Sequence, residues 1–499
     1  MSARARRDAT RVVVGFDARH RSAAFARQRL PTFSPAPVAG RIWWTVRCPL
    51  PVLAHAVRAG NLDAGVVVTA SHNPAGDNGF KVYLGGLADP GDGRGAQLVP
   101  PADTEIASRI AHAPAAKDVP VGRGRWRLVT DGDRDDPVTA YLASVSELAH
   151  RVGKTDHARR LRIVLTAMHG VGGAVAVRAF AAAGLAEPVL VAEQADPDPD
   201  FPTVAFPNPE EPGALDLAVA QARSQDADLL VALDPDADRC CVAVPDAGAD
   251  GGWRVLTGDQ LGALLGSAVL DAVGGDDAGA GSAGSAVVAS SIVSGDLLSA
   301  VATARGATAV RTLTGFKWLA RVPGLTFAYE EALGYCCDPG AVHDKDGISA
   351  AVVAALAATR LAAQGRTLLD ALDDLERAHG VHLTAPVTLR LSSPAEAAAR
   401  LAALRADPPR RLGDAEVVAV EDLSEGTADL PSTDALVWRT ADGDRVVVRP
   451  SGTEPKLKCY LQVVEQCGGG AGDPLAAARA RASARMADLA AAVRLVVGG

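Results

Sequence analysis

Residues 64–84 read AGVVVTASHNPAGDNGFKVYL. The β-branched run from Ala64 to Thr69 predicts a buried strand, and Pro74 keeps a helix from following at once. Gly76 and Gly79 allow a compact loop, so Ser71, beside His72 and Asn73, is presented at a strand end. A hydroxyl is a poor nucleophile unaided. His72 and Lys81 are the neighbours able to pass protons or hold a phosphate.

The same rhythm of apolar run, loop and Ala/Leu-rich helical stretch recurs along the chain. Further predicted strands are Val12 to Phe16, Arg162 to Thr166, Leu229 to Asp234, Ala286 to Ser290 and Thr326 to Tyr329. Such alternation means parallel α/β, in which loops at the C-terminal strand ends converge on one crevice. The last ~120 residues differ, because their predicted strands come close together. Ala415 to Val420, Ala435 to Thr440 and Arg445 to Arg449 are followed by an Ala-rich helix from about Pro474 to Val497, an α+β module. Asp271 to Ser285 is Gly/Ala/Ser/Asp-rich and aperiodic, and reads as a flexible surface insertion without chemistry.

A chain of 499 residues has room for about three to five domains. It is 48% hydrophobic and only 4% aromatic, so aliphatic cores are expected. A net charge of -9 argues against a nucleic-acid or anionic-membrane partner, and any anionic substrate must find local positive charge. Seven cysteines without CxxC spacing read as reduced thiols. No apolar run reaches membrane-span length and no signal-peptide core follows the Arg-rich start, so a soluble, cytoplasmic protein is expected.

Three more segments carry chemistry. LVALDPDADRC (230–240) places Asp234, Asp236 and Asp238 at alternate positions after a strand, hard oxygen donors suited to Mg²⁺. Unpaired, they would repel one another, and a cation is the simplest remedy. An EF-hand loop fails here: Arg239 stands where glycine is needed, Pro245 where the bidentate glutamate belongs, and a strand precedes. TGFK (314–317) and YEEALGY (329–335) lie at successive strand ends, and Glu330 suits a pair of sugar hydroxyls. VVVRPSGTEPKLKCY (446–460) combines Arg449 with the hydroxyls of Ser451 and Thr453 around Gly452, a multi-donor cradle for a phosphate.

From about Val12 onward these segments, in this order, resemble the α-D-phosphohexomutase superfamily, in which TASHNP surrounds the serine that carries the phosphoryl group. The resemblance implies three similar mixed α/β sheet domains plus a C-terminal α+β domain around a central cleft. The expected bounds are 1–150 (phosphoserine), 151–257 (metal), 258–378 (sugar) and 379–499 (phosphate). It implies one Mg²⁺ ion shared by Ser71, Asp234, Asp236 and Asp238, with Lys81 as general acid/base and His72 and Arg19 in catalytic roles. Arg239, Thr314, Gly315, Glu330 and Lys345 (in HDKDGIS) would bind substrate, and Arg449, Ser451, Gly452, Thr453 and Lys458 the phosphate. The implied reaction interconverts hexose 6-phosphate and hexose 1-phosphate, of mannose or glucose, through phosphoserine and a bisphosphate, with glucose or mannose 1,6-bisphosphate as activator.

Two departures qualify this. Where many members have a serine two positions after the sugar-binding glutamate, this chain has Ala332, resembling the branch with phosphopentomutases and glucose-1,6-bisphosphate synthases. The segment before VGFDARH is short, and Pro31, Pro35 and Pro37 are expected to prevent a helix between Asp17 and Thr69. That reading expects a first domain short of a strand and a helix, poorly packed, with Trp43 and Trp44 exposed. It leaves open a degraded, non-catalytic sugar-phosphate binder. A serine-phosphate hydrolase is the remaining alternative, against which the RPSGT phosphate grip argues.

Overall fold

The computed structural model describes residues 11–29, 41–45, 47–86, 89, 91–115, 118, 125–129, 136–153, 161–274, 285–451, 454–468 and 473–498. The chain forms two compact units, residues 1–287 with 316–368, and residues 288–315 with 369–499.

In the first unit, β1 (Val12–Phe16), β2 (Arg41–Thr45), β3 (Ala64–Val68), β4 (Phe80–Leu84) and β5 (Arg125–Val129) form a sheet in the order β4-β3-β1-β2-β5. Its centre is parallel, and β4 runs antiparallel to β3. A second sheet, β10-β9-β8-β6-β7, is built from β6 (Ile163–Thr166), β7 (Val189–Leu190), β8 (Leu229–Leu233), β9 (Cys240–Pro245) and β10 (Trp253–Val255). Again the centre is parallel and β9 returns antiparallel to β8. Farther on come β11 (Val287–Ser291), β12 (Thr308–Thr312), β13 (Leu325–Glu330) and β14 (Gly334–Cys336), of which β13 and β14 form an antiparallel hairpin in the first unit.

These pairings amend the sequence reading at three places. The loops after β3, β8 and β13 lead into antiparallel return strands, not into helices. Each chemistry-bearing loop is thus pinned at both ends by strand hydrogen bonds, which orients it more firmly than a free βα loop.

The region from Asp17 to Thr69 also differs from expectation. It holds two helices, Ser22–Arg29 and Leu50–Ala59. The second tolerates proline because Pro49 is its N-cap and Pro51 lies in its first turn, where a missing N–H costs no hydrogen bond. Leu50, Val52, Leu53 and Val57 are buried, and a Cβ on Gly65 of β3 would lie 2.4 Å from Val57 Cγ2, so helix and sheet are in intimate contact. Val12, Val14, Phe16, Ala26 and Val68 form a further buried cluster, so the described part of this domain is packed. Pro31, Pro35, Pro37 and the side chains of Trp43 and Trp44 lie outside what is described. Asp271 to Val273, assigned above to a flexible insertion, instead end helix Gly258–Val273. Residues 275–284 of that insertion lie outside the described residues.

Helix Pro137–Val152 begins at Asp136, whose carboxylate accepts from Val138 N (3.0 Å) and Thr139 N (3.2 Å). Asp136→Ala should therefore lower stability by about 1 kcal/mol, measured by urea unfolding.

The second unit holds a six-stranded sheet in the order β15-β20-β19-β18-β17-β16, from β15 (Val381–Arg390), β16 (Arg411–Leu412), β17 (Ala415–Asp422), β18 (Leu436–Thr440), β19 (Arg445–Pro450) and β20 (Lys456–Glu465). Helices Pro394–Ala406 and Pro474–Gly498 contribute to a core around Trp438, Leu401, Leu461, Leu489 and Val493. Cys240, Cys241, Cys336, Cys337, Cys459 and Cys467 are free thiols. No single helix among the described residues is long and apolar enough to cross a membrane.

Candidate active site

Ser71 sits at the tip of the β3–β4 connection with a left-handed backbone (φ 50°). For a non-glycine residue that costs about 1–3 kcal/mol and persists only where surroundings impose it. Its N–H donates to Thr69 Oγ1 (2.9 Å), and the loop neck is closed by Thr69 N–H donating to Gly79 O (3.1 Å). Ser71 Oγ donates to Asp234 Oδ2 at 2.9 Å, and His72 Nδ1 lies 3.3 Å away. Burial first, then the Arg239 guanidinium, holds the His72 imidazole down at about 3, so it is neutral near pH 7.

The aspartate loop is built by backbone contact. A Cβ on Gly170 would lie 2.4 Å from Pro235 Cα, and one on Gly172 would lie 2.6 Å from Ala237 Cβ. Val171 N–H donates to Pro235 O (2.9 Å), Leu50 N–H to Asp236 O (2.9 Å) and Gly347 N–H to Ala237 O (3.2 Å). Ala237 can then take a left-handed turn (φ 58°) that directs Asp234, Asp236 and Asp238 together. One carboxylate oxygen from each lies within 4.8 Å of the others, and all three residues are at most 1% exposed.

Around the triad stand Lys81, Arg239 and Lys345. Lys81 Nζ donates to Asp236 Oδ2 (3.1 Å) and Asp238 Oδ2 (2.7 Å), and Lys345 Nζ is 3.3 Å from Asp238 Oδ2. Arg239 reaches Asp238 and Glu210, each at 3.9 Å. Burial disfavours charge on Lys81, but Asp236 and Asp238 outweigh it and raise its pKa. For Asp234, burial and then its two aspartate neighbours push the carboxyl well above the usual range. Asp236 Oδ1 and Asp238 Oδ1 are buried with no hydrogen-bond partner among the described residues. Orphaned carboxylate oxygens beside a third acidic group fit a hard divalent cation, so the residues present suit the metal.

Glu330 ends β13, and Gly334 begins β14 opposite it. A Cβ on Gly334 would lie 2.4 Å from Lys345 Cδ and 2.9 Å from Glu330 Cγ, so glycine lets these side chains share one place. Gly334→Ala should displace Lys345 and lower kcat/KM on the order of 10²-fold, read by steady-state kinetics at unchanged circular dichroism.

In the second unit, Arg449 donates to Thr314 Oγ1 (2.5 Å), and Gly315 is left-handed (φ 105°). Arg449 faces Lys458 directly across β19 and β20. Like charges opposite one another destabilise a sheet, and an anion relieves that. Ser451 N–H donates to Lys456 O (2.8 Å); Gly452 and Thr453 lie outside the described residues.

The geometry brings Ser71, His72, Lys81, the three aspartates, Arg239, Glu330 and Lys345 into one connected set within the first unit. Arg19 is placed differently, buried beneath the serine loop. Sequence reasoning missed Thr69, whose Oγ1 also donates to Asp236 Oδ2 (3.1 Å), although it stands in the quoted motif. It also missed Asp344, which accepts from Tyr83 OH (2.6 Å), Gln97 Nε2 (2.7 Å) and Lys345 N (2.8 Å). Asp344 adjoins Lys345 in HDKDGIS, and that adjacency was the signal available.

Models of four successive phosphoglucomutase/phosphomannomutase domains match: alpha/beta/alpha domain I at residues 1–116, domain II at 139–248, domain III at 257–378, and the C-terminal domain at 387–466. A Haemophilus influenzae protein named "Probable phosphomannomutase" is 40% identical over 450 residues, covering 90% of this chain and 87% of that protein. The chain belongs to the phosphoglucomutase/phosphomannomutase family. It is accordingly a phosphosugar mutase, an isomerase. Homo sapiens phosphopentomutase is 33% identical over 495 residues, 91% of this chain and 77% of that protein. A crystal structure of a family protein from Burkholderia thailandensis has the same fold, with a TM-score of 0.67 at 22% identity, covering 98% of this chain and 90% of that one.

Proposed function

We propose that this mutase interconverts hexose 6-phosphate and hexose 1-phosphate, of mannose or glucose, with Ser71 as phosphate carrier. The observation that carries the reading is the hydrogen bond from Ser71 Oγ to Asp234, which places the hydroxyl against the acidic triad. Magnesium held by Asp234, Asp236, Asp238 and an oxygen on Ser71 would supply charge neutralisation for the transferring phosphoryl group. Lys81 and neutral His72 hold or move the proton as Ser71 Oγ loses and regains the phosphoryl group. Arg239 and Lys345 offset charge on the substrate, and Glu330 accepts from sugar hydroxyls. Arg449, Ser451, Gly452, Thr453 and Lys458, with Thr314 and Gly315, grip the phosphate not being transferred. The domain bounds 1–150, 151–257, 258–378 and 379–499 follow this division of labour.

Ala332 favours a second reading, phosphopentomutase or glucose-1,6-bisphosphate synthesis, because it removes a hydroxyl donor beside Glu330. Coupled assays with glucose 1-phosphate, mannose 1-phosphate and ribose 1-phosphate, each with Mg²⁺ and a trace of glucose 1,6-bisphosphate, decide. The hexose reading expects kcat/KM at least tenfold higher on a hexose phosphate; a higher value on ribose 1-phosphate would replace it with the pentose reading.

A further inference from the structure

Arg19 follows β1 and is only 3% exposed. One terminal nitrogen donates to Pro74 O (2.7 Å) and Asp77 O (3.3 Å), the other to Ser71 O (2.6 Å) and Asn73 O. Its Nε faces Asp17 Oδ2 at 3.4 Å. A guanidinium has five N–H donors in a fixed fork, and these carbonyls occupy both terminal nitrogens while Nε, with no hydrogen bond among the described residues, faces Asp17, so Arg19 cannot grip a substrate phosphate through its fork without releasing the serine loop.

A segment from the next domain covers this arrangement. The Phe201 ring lies 5.0 Å from the Arg19 guanidinium, and Phe201 is itself buried and left-handed (φ 46°). On either side, His20 Nε2 meets Asp200 Oδ1 (2.7 Å), and the Phe206 ring lies 6.2 Å from His72. Thr203 is fixed through His169 Nε2 (2.8 Å). The run DPDFPTVAFPN (198–208) thus has a placement that none of the four loops explains.

We infer that Arg19 is a positioning residue: it acts through Ser71, tying four carbonyls of the carrier loop into one turn, with Phe201 as the cover over its guanidinium. The left-handed strain at Ser71 needs such a restraint, because a free loop would relax away from Asp234. Lysine cannot replace it, since one ammonium with three donors cannot span carbonyls from Ser71 to Asp77.

The inference rests on Ser71 being the carrier, and the test separates the two. Arg19→Lys, Phe201→Leu and Ser71→Ala are prepared in the full chain and assayed with glucose 1-phosphate, glucose 1,6-bisphosphate and Mg²⁺. Intact mass gives Ser71 phosphorylation, and ³¹P NMR gives the phosphoserine resonance. Arg19→Lys should lower kcat on the order of 10²-fold and Phe201→Leu about tenfold, each with KM within about threefold of the parent and a shifted or broadened phosphoserine signal. A rise in KM of tenfold or more at parental kcat would make Arg19 a substrate ligand and overturn the inference. Parental kcat in both variants would also overturn it, as would an unmoved phosphoserine signal. If Arg19→Lys does not fold, Phe201→Leu decides by the same criteria. Activity retained by Ser71→Ala would instead sink the carrier reading itself.

Discussion

Ser71→Ala should reduce mutase turnover by on the order of 10³-fold or more, while the protein keeps its fold and still binds sugar phosphate. The substitution removes one oxygen whose hydrogen bonds are to Asp234 and His72. Alanine fits the space, and the loop is held by Thr69, Gly79 and Arg19 through backbone atoms, which the change does not touch. The loss should therefore fall on kcat, with the melting temperature near the parental value. Intact mass should show a phosphorylated fraction in the parent, after exposure to glucose 1,6-bisphosphate, that the variant lacks. Parental turnover in the variant would rule Ser71 out as carrier.

Asp236→Asn should weaken magnesium activation by on the order of 10²-fold or more, because outer-shell changes alone typically cost 10–100-fold in metal affinity. Carboxylates within 4.8 Å of one another repel by about 3–4 kcal/mol per pair at an effective dielectric near 20. Lys81, Lys345 and Arg239 offset that repulsion, yet Asp236 Oδ1 and Asp238 Oδ1 still lack a hydrogen-bond donor among the described residues. Asparagine keeps the shape and an acceptor but removes the charge that holds a cation, so turnover should drop even at high Mg²⁺. Chelation with EDTA should abolish activity of the parent and added Mg²⁺ restore it. A variant with unaltered magnesium dependence would place the ion elsewhere.

Short-range chemistry made the serine and aspartate loops legible, since each follows an apolar strand and carries its functional groups within a few residues. The same locality located β1, β3, β6, β8 and helix Pro474–Gly498. What depends on distant partners was not legible. β15 contains Pro386, which argues against a strand, yet β15 stands at the sheet edge, where a missing donor costs little. Pro31, Pro35 and Pro37 suggested disruption because the sequence does not show the burial of Leu50, Val52, Leu53 and Val57 that holds helix Leu50–Ala59 against β3. Arg19 reads as a catalytic residue in the sequence because its carbonyl partners are 52 to 58 residues away. Asp344 gave no sign of its three donors, two of which come from Tyr83 and Gln97.

The antiparallel return strand β4 has an evolutionary consequence. Lys81 and Tyr83 are two apart, so they project from one face, the first to Asp236 and Asp238 and the second to Asp344. Inserting or deleting one residue between Thr69 and Phe80 would turn that face over, presenting Phe80 and Val82 in their place. Substitutions in this loop can be sampled one at a time, but a change in its length would remove both anchors in one event. Drift in this lineage should therefore conserve the count of residues from Ser71 to Lys81 more strictly than their identities.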